Sequence, residues 1–160
     1  MSTIVARQQF SLKVTETEDS TEQPLGTDRT RSYNSSSRKK LSAGSDADAP
    51  GSLALATRYT GSQNLDLTDF TGTLGAGQDA TGLRVNGILL VNNSTTNDVT
   101  ITGGVANEYE LNGGNDKVVK PGCSYQEFFN DKLDEVAAGV KAISIAATAG
   151  QTFDLILVIG

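Results

Sequence analysis

Few residues in this 160-residue chain have the type and spacing to do chemistry. Glu108 and Glu110 stand two apart in Glu108-Tyr-Glu-Leu111. On a strand that spacing puts both carboxylates on one face, whereas glycoside hydrolysis needs a pair flanking a cleft, usually beside stacking rings. With no tryptophan and only four Tyr and five Phe, a sugar cleft has little to be built from. Asp66 and Asp69 straddle the end of a strand pattern, and Asn112-Gly-Gly-Asn-Asp116 carries the oxygen donors that wrap calcium. Gly-Asn-Asp runs are commoner as plain turns, and this one reads as a turn. Thr71-Gly-Thr-Leu-Gly-Ala-Gly77 also reads as a turn, because it lacks the lysine and the following helix of a phosphate loop. The single Cys123 excludes an intramolecular disulfide and a multi-cysteine zinc site, and it reads as a small buried hydrophobe. No histidine is present, which removes Ser-His-Asp and Cys-His catalysis together with the usual metal ligand. The expectation is a protein that is not an enzyme and uses no cofactor or metal.

The elements around these residues are strands. Hydrophobic content is 37%, low for a self-sufficient globule, and 17 glycines against three prolines point to many turns. The organising stretch is Thr81–Gly103. Its first arm places Leu83, Val85, Leu89 and Val91 on one face and Arg84, Asn86 and Asn92 on the other, a period of two. Ile88 and Leu90 interrupt the polar face, so the middle of the strand is expected to be covered on both sides. A polar loop from Asn92 to Asp98 then turns the chain, and Val99-Thr-Ile-Thr102 alternates again, which predicts a long-looped β-hairpin.

Further strands are predicted at Gln9–Thr15, Ser52–Tyr59, Asn64–Phe70, Glu108–Leu111, Val118–Val119, Cys123–Phe129, Lys141–Ala147 and Thr152–Ile159. Asn130–Ala138 has the composition of one helical turn. The last strand is apolar on both faces, so it belongs in mid-sheet or under another subunit. Eight to ten short strands with turn signals between them predict an all-β fold, an antiparallel β-sandwich of jelly-roll-like type with an extended N-terminal arm. The boundary falls between residues 1–50, an N-terminal strand and arm, and 51–160, the β-sandwich domain.

Charge separates along the chain. The net charge of −6 disfavours a generic nucleic-acid binder. Yet Arg29, Arg31, Arg38, Lys39 and Lys40 fall within twelve positions, after the acids Glu16, Glu18, Asp19 and Glu22. Residues 16–50 otherwise offer only Leu25, Tyr33 and Leu41 to a core. They read either as a solvated connection or as a basic arm that docks on an acidic neighbour. The N-terminal strand, with Phe10, Leu12 and Val14 on one face, needs a partner in its own sheet or a neighbour's. No run of 18 apolar residues and no signal-peptide core appears, so the expectation is a soluble protein made in a cytoplasm without a membrane partner.

The succession Asn64-Leu-Asp-Leu-Thr-Asp-Phe-Thr-Gly72, Ile88-Leu-Leu-Val-Asn-Asn93, Val99-Thr-Ile101, Val119-Lys-Pro-Gly122 and Ala142–Gly160 resembles the small virion proteins of tailed bacteriophages. Some of these are decoration, or cement, proteins of the outer capsid. The resemblance spans roughly residues 51–160 and rests on strand order and phrasing; residues 1–50 lie outside it. It implies a jelly-roll-like domain, commonly a homotrimer, that binds across neighbouring major capsid protein subunits on the outer surface of the head. Under that reading Phe10, Leu12 and Val14 join a sheet, and Arg29, Arg31, Arg38, Lys39 and Lys40 meet acidic capsid surface. Two alternatives are a tail or head-completion component and a carbohydrate- or receptor-binding β-sandwich module.

Overall fold

The computed structural model describes residues 5–18 and 29–42 as strands with a defined register, and residues 53–72, 77–102, 106–129 and 133–160 with their side chains. The described residues are all-β. They contain no helix, and so none long and apolar enough to cross a membrane.

β1 (Val5–Glu18) and β2 (Arg29–Ser42) pair antiparallel over their whole length, from Val5 opposite Ser42 to Glu18 opposite Arg29. They form a two-stranded sheet of their own. The partner that the Gln9–Thr15 pattern requires therefore comes from the stretch that reads as a loop or arm. Its Ser- and Thr-rich sequence hides a strand, because alternation among small polar residues leaves no hydrophobic period to see.

Ten further strands follow: β3 (Leu53–Thr60), β4 (Gln63–Asp66), β5 (Phe70–Thr71), β6 (Gly77–Gln78), β7 (Val85–Asn92), β8 (Val99–Ile101), β9 (Lys117–Val119), β10 (Ser124–Phe128), β11 (Ala142–Ala146) and β12 (Thr152–Ile159). Eight of them build two four-stranded antiparallel sheets, in the orders β10-β7-β12-β3 and β4-β11-β8-β9. β5 and β6 pair as a two-rung ladder, Phe70 opposite Gln78 and Thr71 opposite Gly77. Residues 73–76 of the glycine-rich stretch between them lie outside the described residues.

Several expectations are corrected. Thr81–Gly103 is not a hairpin, since β7 pairs with β10 and β12 while β8 pairs with β11 and β9. The polar loop carries the chain from one sheet to the other. Glu108–Leu111 is not a strand, and only Glu108 makes an isolated bridge, to Ala142. Asn107 sits at φ 61°, a left-handed conformation that Asn tolerates and that breaks extended pairing at this point. Residues 133–138 carry no helix, and Asn130, Asp131 and Lys132 lie outside the described residues.

On β7 the buried face is that of Ile88 and Leu90, together with Asn86 and Asn92; Leu89 and Val91 are half-buried on the other side. A register shift lets Val85 join that buried face. Val158 lies opposite Gly87, but Ile159 lies opposite Val85, so Asn86 is the extra residue of a bulge.

Both sheets feed one core. Leu55, Ile88, Leu90, Phe153, Leu155 and Leu157 come from the first sheet, and Val99, Ile101, Val119, Ile143 and Ile145 from the second. Each such side chain contributes roughly 1.5–3 kcal/mol of burial. β12 runs between β7 and β3, the mid-sheet place that its two apolar faces predict. Leu155→Ala, at the centre of this strand and fully buried, should cost about 2–5 kcal/mol in urea unfolding. Ile156→Ala, on the opposite face and 39% exposed, should cost less than about 1.5 kcal/mol.

Candidate functional site

The interface residues expected from the sequence are sorted by the β1–β2 register. Opposite residues of an antiparallel ladder share a face, and faces alternate along each strand. Phe10 lies opposite Ser37, Leu12 opposite Ser35 and Val14 opposite Tyr33. Arg31 lies opposite Glu16 and Arg29 opposite Glu18, on that same face, as does Lys39 opposite Gln8. Arg38, opposite Gln9, and Lys40, opposite Arg7, fall on the other face with Lys13. The five basic residues are thus split three and two. One face carries the apolar positions with opposed acid–base pairs at its tip, and the other is basic.

Within the two four-stranded sheets, the most constrained polar group is a pair of buried side-chain amides that no residue pattern singles out. Asn92 is 1% exposed and Gln151 is 7% exposed. Asn92 Nδ2 donates to the carbonyls of Asn97 and Val119, both at 2.9 Å, and Asn92 Oδ1 accepts from the Ser94 N–H at 3.0 Å. Gln151 Nε2 donates to Asn92 Oδ1 at 3.1 Å and to the carbonyls of Asn97 and Asp98. Its Oε1 accepts the Thr148 N–H at 2.9 Å. These bonds tie the end of β7, the crossing loop, β9 and the turn before β12 into one network.

A cleft of about 300 Å³ is lined by Asn107, Glu108, Tyr109, Glu110, Asp134, Gly139 and Val140. Its floor is held by Tyr109, whose hydroxyl accepts the Val85 N–H at 3.0 Å and donates to the Asp134 carbonyl at 2.6 Å. Its carboxylates do not make a metal centre: among the described residues no three His, Cys, Asp or Glu side chains are placed to hold an ion. Asn112–Asp116 is a turn, with Gly113 and Gly114 at φ 61° and 75°. Asn115 Nδ2 donates to the Asn112 and Gly113 carbonyls, which closes the turn.

A second cleft separates the edge strands β9 and β10. Val118, 47% exposed, and Cys123 line it with Lys117, Lys120, Tyr125 and Glu127. Cys123 is exposed, contrary to the buried position expected of it. The Pro121-Gly122 turn, with Gly122 at φ 68°, sets it at the rim where β10 begins rather than in the core. Lys117 Nζ stands 4.7 Å from the centroid of the Tyr125 ring. Burial, and then the hydrogen bond the Tyr125 hydroxyl donates to Glu127, push that phenol above its ordinary range.

Asp66 is engaged as well. It accepts from Lys141 Nζ at 2.6 Å and from the Thr68 hydroxyl and N–H at 2.7 and 2.9 Å. These bonds, that of Lys141 first, hold its carboxyl at about 2. On the outer face of the first sheet Arg58 grips Asp154 through two bonds, at 2.6 and 2.8 Å.

Two outcomes follow from these contacts. Asn92→Ala leaves the Ser94 N–H and the Val119 carbonyl without that partner, and at about 1–3 kcal/mol per buried group left unsatisfied it should destabilise far more than Ser94→Ala. Equilibrium unfolding in urea reads the difference. Asp66, with its pKa depressed in the folded state, adds stability that is present above the ordinary carboxylate range and is lost as pH falls toward about 2. The melting temperature of the wild type should therefore exceed that of Asp66→Asn at pH 6, and the gap should close between about pH 4 and pH 2. Comparison of the chain with protein-family models, with curated proteins and with solved structures returned no match.

Proposed function

We propose that this chain is a structural virion protein, a capsid decoration protein that stabilises a phage head by binding across neighbouring major capsid protein subunits. The observation that carries the reading is the β1–β2 hairpin. The two four-stranded sheets are built from other strands, and the core side chains of the described residues come from residues 53–159. We assign its fourteen opposed residue pairs, with Phe10, Leu12 and Val14 on one face and Arg7, Lys13, Arg38 and Lys40 on the other, to contact with a partner.

The order of the eight strands supports a jelly-roll-like sandwich as the body. Across the sheets, β3, β12, β7 and β10 make one and β4, β11, β8 and β9 the other, so that of the seven connections along the chain only β8 to β9 stays within a sheet and six pass between sheets. That alternation is the double Greek-key wiring of a jelly roll. Such a body suits a static part: its register is set by a buried face and by the amide network rather than by a ligand. Phe10, Leu12 and Val14 belong to the sheet-facing side of the arm. Arg38 and Lys40, with Arg7 and Lys13, are the basic side that meets acidic capsid surface. Each contact is modest, and repetition over the shell makes the sum large.

Heads stripped of the protein and then re-supplied with it test the proposal. The full chain should rebind in hundreds of copies and raise the temperature at which heads release DNA. A chain lacking residues 1–50 should rebind at least about tenfold more weakly, as expected when one of several linked contacts is removed. Equal rebinding by the truncated chain removes the arm from the mechanism. Failure of the full chain to bind heads removes the proposal itself, and glycan binding by the isolated protein would favour a receptor-binding module instead.

A further inference from the structure

We propose that Asn112 is a site of spontaneous covalent modification, at which the folded chain loses ammonia and passes through a succinimide to aspartate and isoaspartate. This goes beyond the capsid role and does not depend on it.

An asparagine converts when the backbone nitrogen of the next residue, having lost its proton, attacks the side-chain Cγ. The new C–N bond closes the succinimide ring, the bond to Nδ2 breaks, and ammonia leaves with the proton that balances the step. Water, the only other reactant, then opens the ring at either carbonyl and gives aspartate or its isoaspartyl isomer. The attack is easiest when the next residue has no Cβ and its N–H is not committed to a hydrogen bond.

The chain contains two Asn-Gly pairs, Asn86-Gly87 and Asn112-Gly113, and the fold treats them in opposite ways. Asn86 is 0% exposed, and its Nδ2 donates to the Gly160 carbonyl at 3.3 Å. Gly87 is held inside the first sheet, opposite Val158 of β12 and Phe128 of β10. Ring closure at Asn86 therefore has to wait for that sheet to open. Asn112 is half-buried and begins an exposed turn that leads to β9. The hydrogen bonds of this turn run to the Asn112 carbonyl, from the Asn115 N–H at 3.4 Å and from Asn115 Nδ2 at 3.2 Å. Among the described residues the Gly113 N–H and Asn112 Nδ2 donate to none, so the attacking and the departing nitrogen are both uncommitted. A Cβ placed on Gly113 would meet nothing within 4 Å, so the space around the attacking residue is open. Asn112 Oδ1 lies 3.0 Å from the Tyr125 hydroxyl, which anchors the side chain by the atom that the reaction keeps.

The product sets a carboxylate beside the Tyr125 hydroxyl, which Glu127 already engages, and takes the net charge from −6 to −7. The isoaspartyl form also adds a methylene to the main chain of the turn that leads to β9, one wall of the cleft between β9 and β10.

Ageing of the full wild-type chain in mildly alkaline buffer, without heads present, tests this independently of the capsid proposal. Digestion and electron-transfer fragmentation separate isoaspartate from aspartate at each site. Conversion is expected first at Asn112, at least about tenfold faster than at Asn86, because a core strand opens only rarely. Unfolding in urea should bring the two sites to comparable rates. Asn112→Gln, whose longer side chain closes a ring far less readily, should lose most of the acidic isoform that isoelectric focusing shows in the aged wild type. Conversion of Asn86 as fast as Asn112 in the folded chain, or an aged chain free of isoaspartate at Asn112, would overturn the inference. So would a rate at Asn112 more than about tenfold slower in buffer than in urea, since the turn would then shield the site.

Discussion

The crossing from one sheet to the other after β7 depends on two buried side-chain amides. Asn92 and Gln151 satisfy one another and five backbone groups of the crossing loop and its neighbours, those of Ser94, Asn97, Asp98, Val119 and Thr148. A loop of that kind is normally at the surface, because buried backbone polar groups need partners. Here the partners are supplied by side chains from inside. The loop can then run over the end of the core, and β7 and β8 can belong to different sheets. With that crossing set, β8 is free to pair with β9 and β11, and β12 slots between β7 and β3. The aliphatic core fills in behind it. Packing supplies most of the stabilisation, but it is largely indifferent to which strand follows which. The polar network is selective, since half-satisfied it costs more than an apolar replacement would.

This also shows which parts of the fold were legible in the residues. β12 declared itself through Phe153, Leu155, Leu157 and Ile159 on one face and Ile156 and Val158 on the other, and β3, β10 and β11 through simple alternation. The all-β class followed from those patterns. Strand partnership did not follow. Leu83–Asn92 and Val99–Thr102 look like the arms of a hairpin because neighbours in sequence usually pair, and nothing local announces that Asn92 is buried. The bulge at Asn86 misled in another way: it shifts the parity of β7, so Val85 and Leu90 lie on one side although they differ by an odd number. β2 was invisible for a third reason. A serine-rich strand has no apolar period, and its pairing comes from the ladder it shares with β1.

The candidate surfaces were half legible. Clustering of Arg29, Arg31, Arg38, Lys39 and Lys40 is plain in the sequence, but their division between two faces is a matter of register. That division changes the physical picture. Arg29 and Arg31 stand opposite Glu18 and Glu16 at one end of the ribbon, while Arg38 and Lys40 share the other face with Arg7 and Lys13. A ribbon of this design can hold an apolar surface and an acidic one at the same time. Two faces with two different appetites suit a part that joins bodies together.

In the proposed capsid role the eight-stranded body sits on the shell and the β1–β2 ribbon adds a further contact. A cryo-electron microscopy reconstruction of intact heads is the most direct test. The account predicts density for an eight-stranded body on the outer shell, lying across the boundary between adjacent capsid subunits, with a two-stranded ribbon leaving it toward a neighbour. An outer surface bare of this protein, or bodies that each touch a single capsid subunit with no ribbon between them, would contradict it.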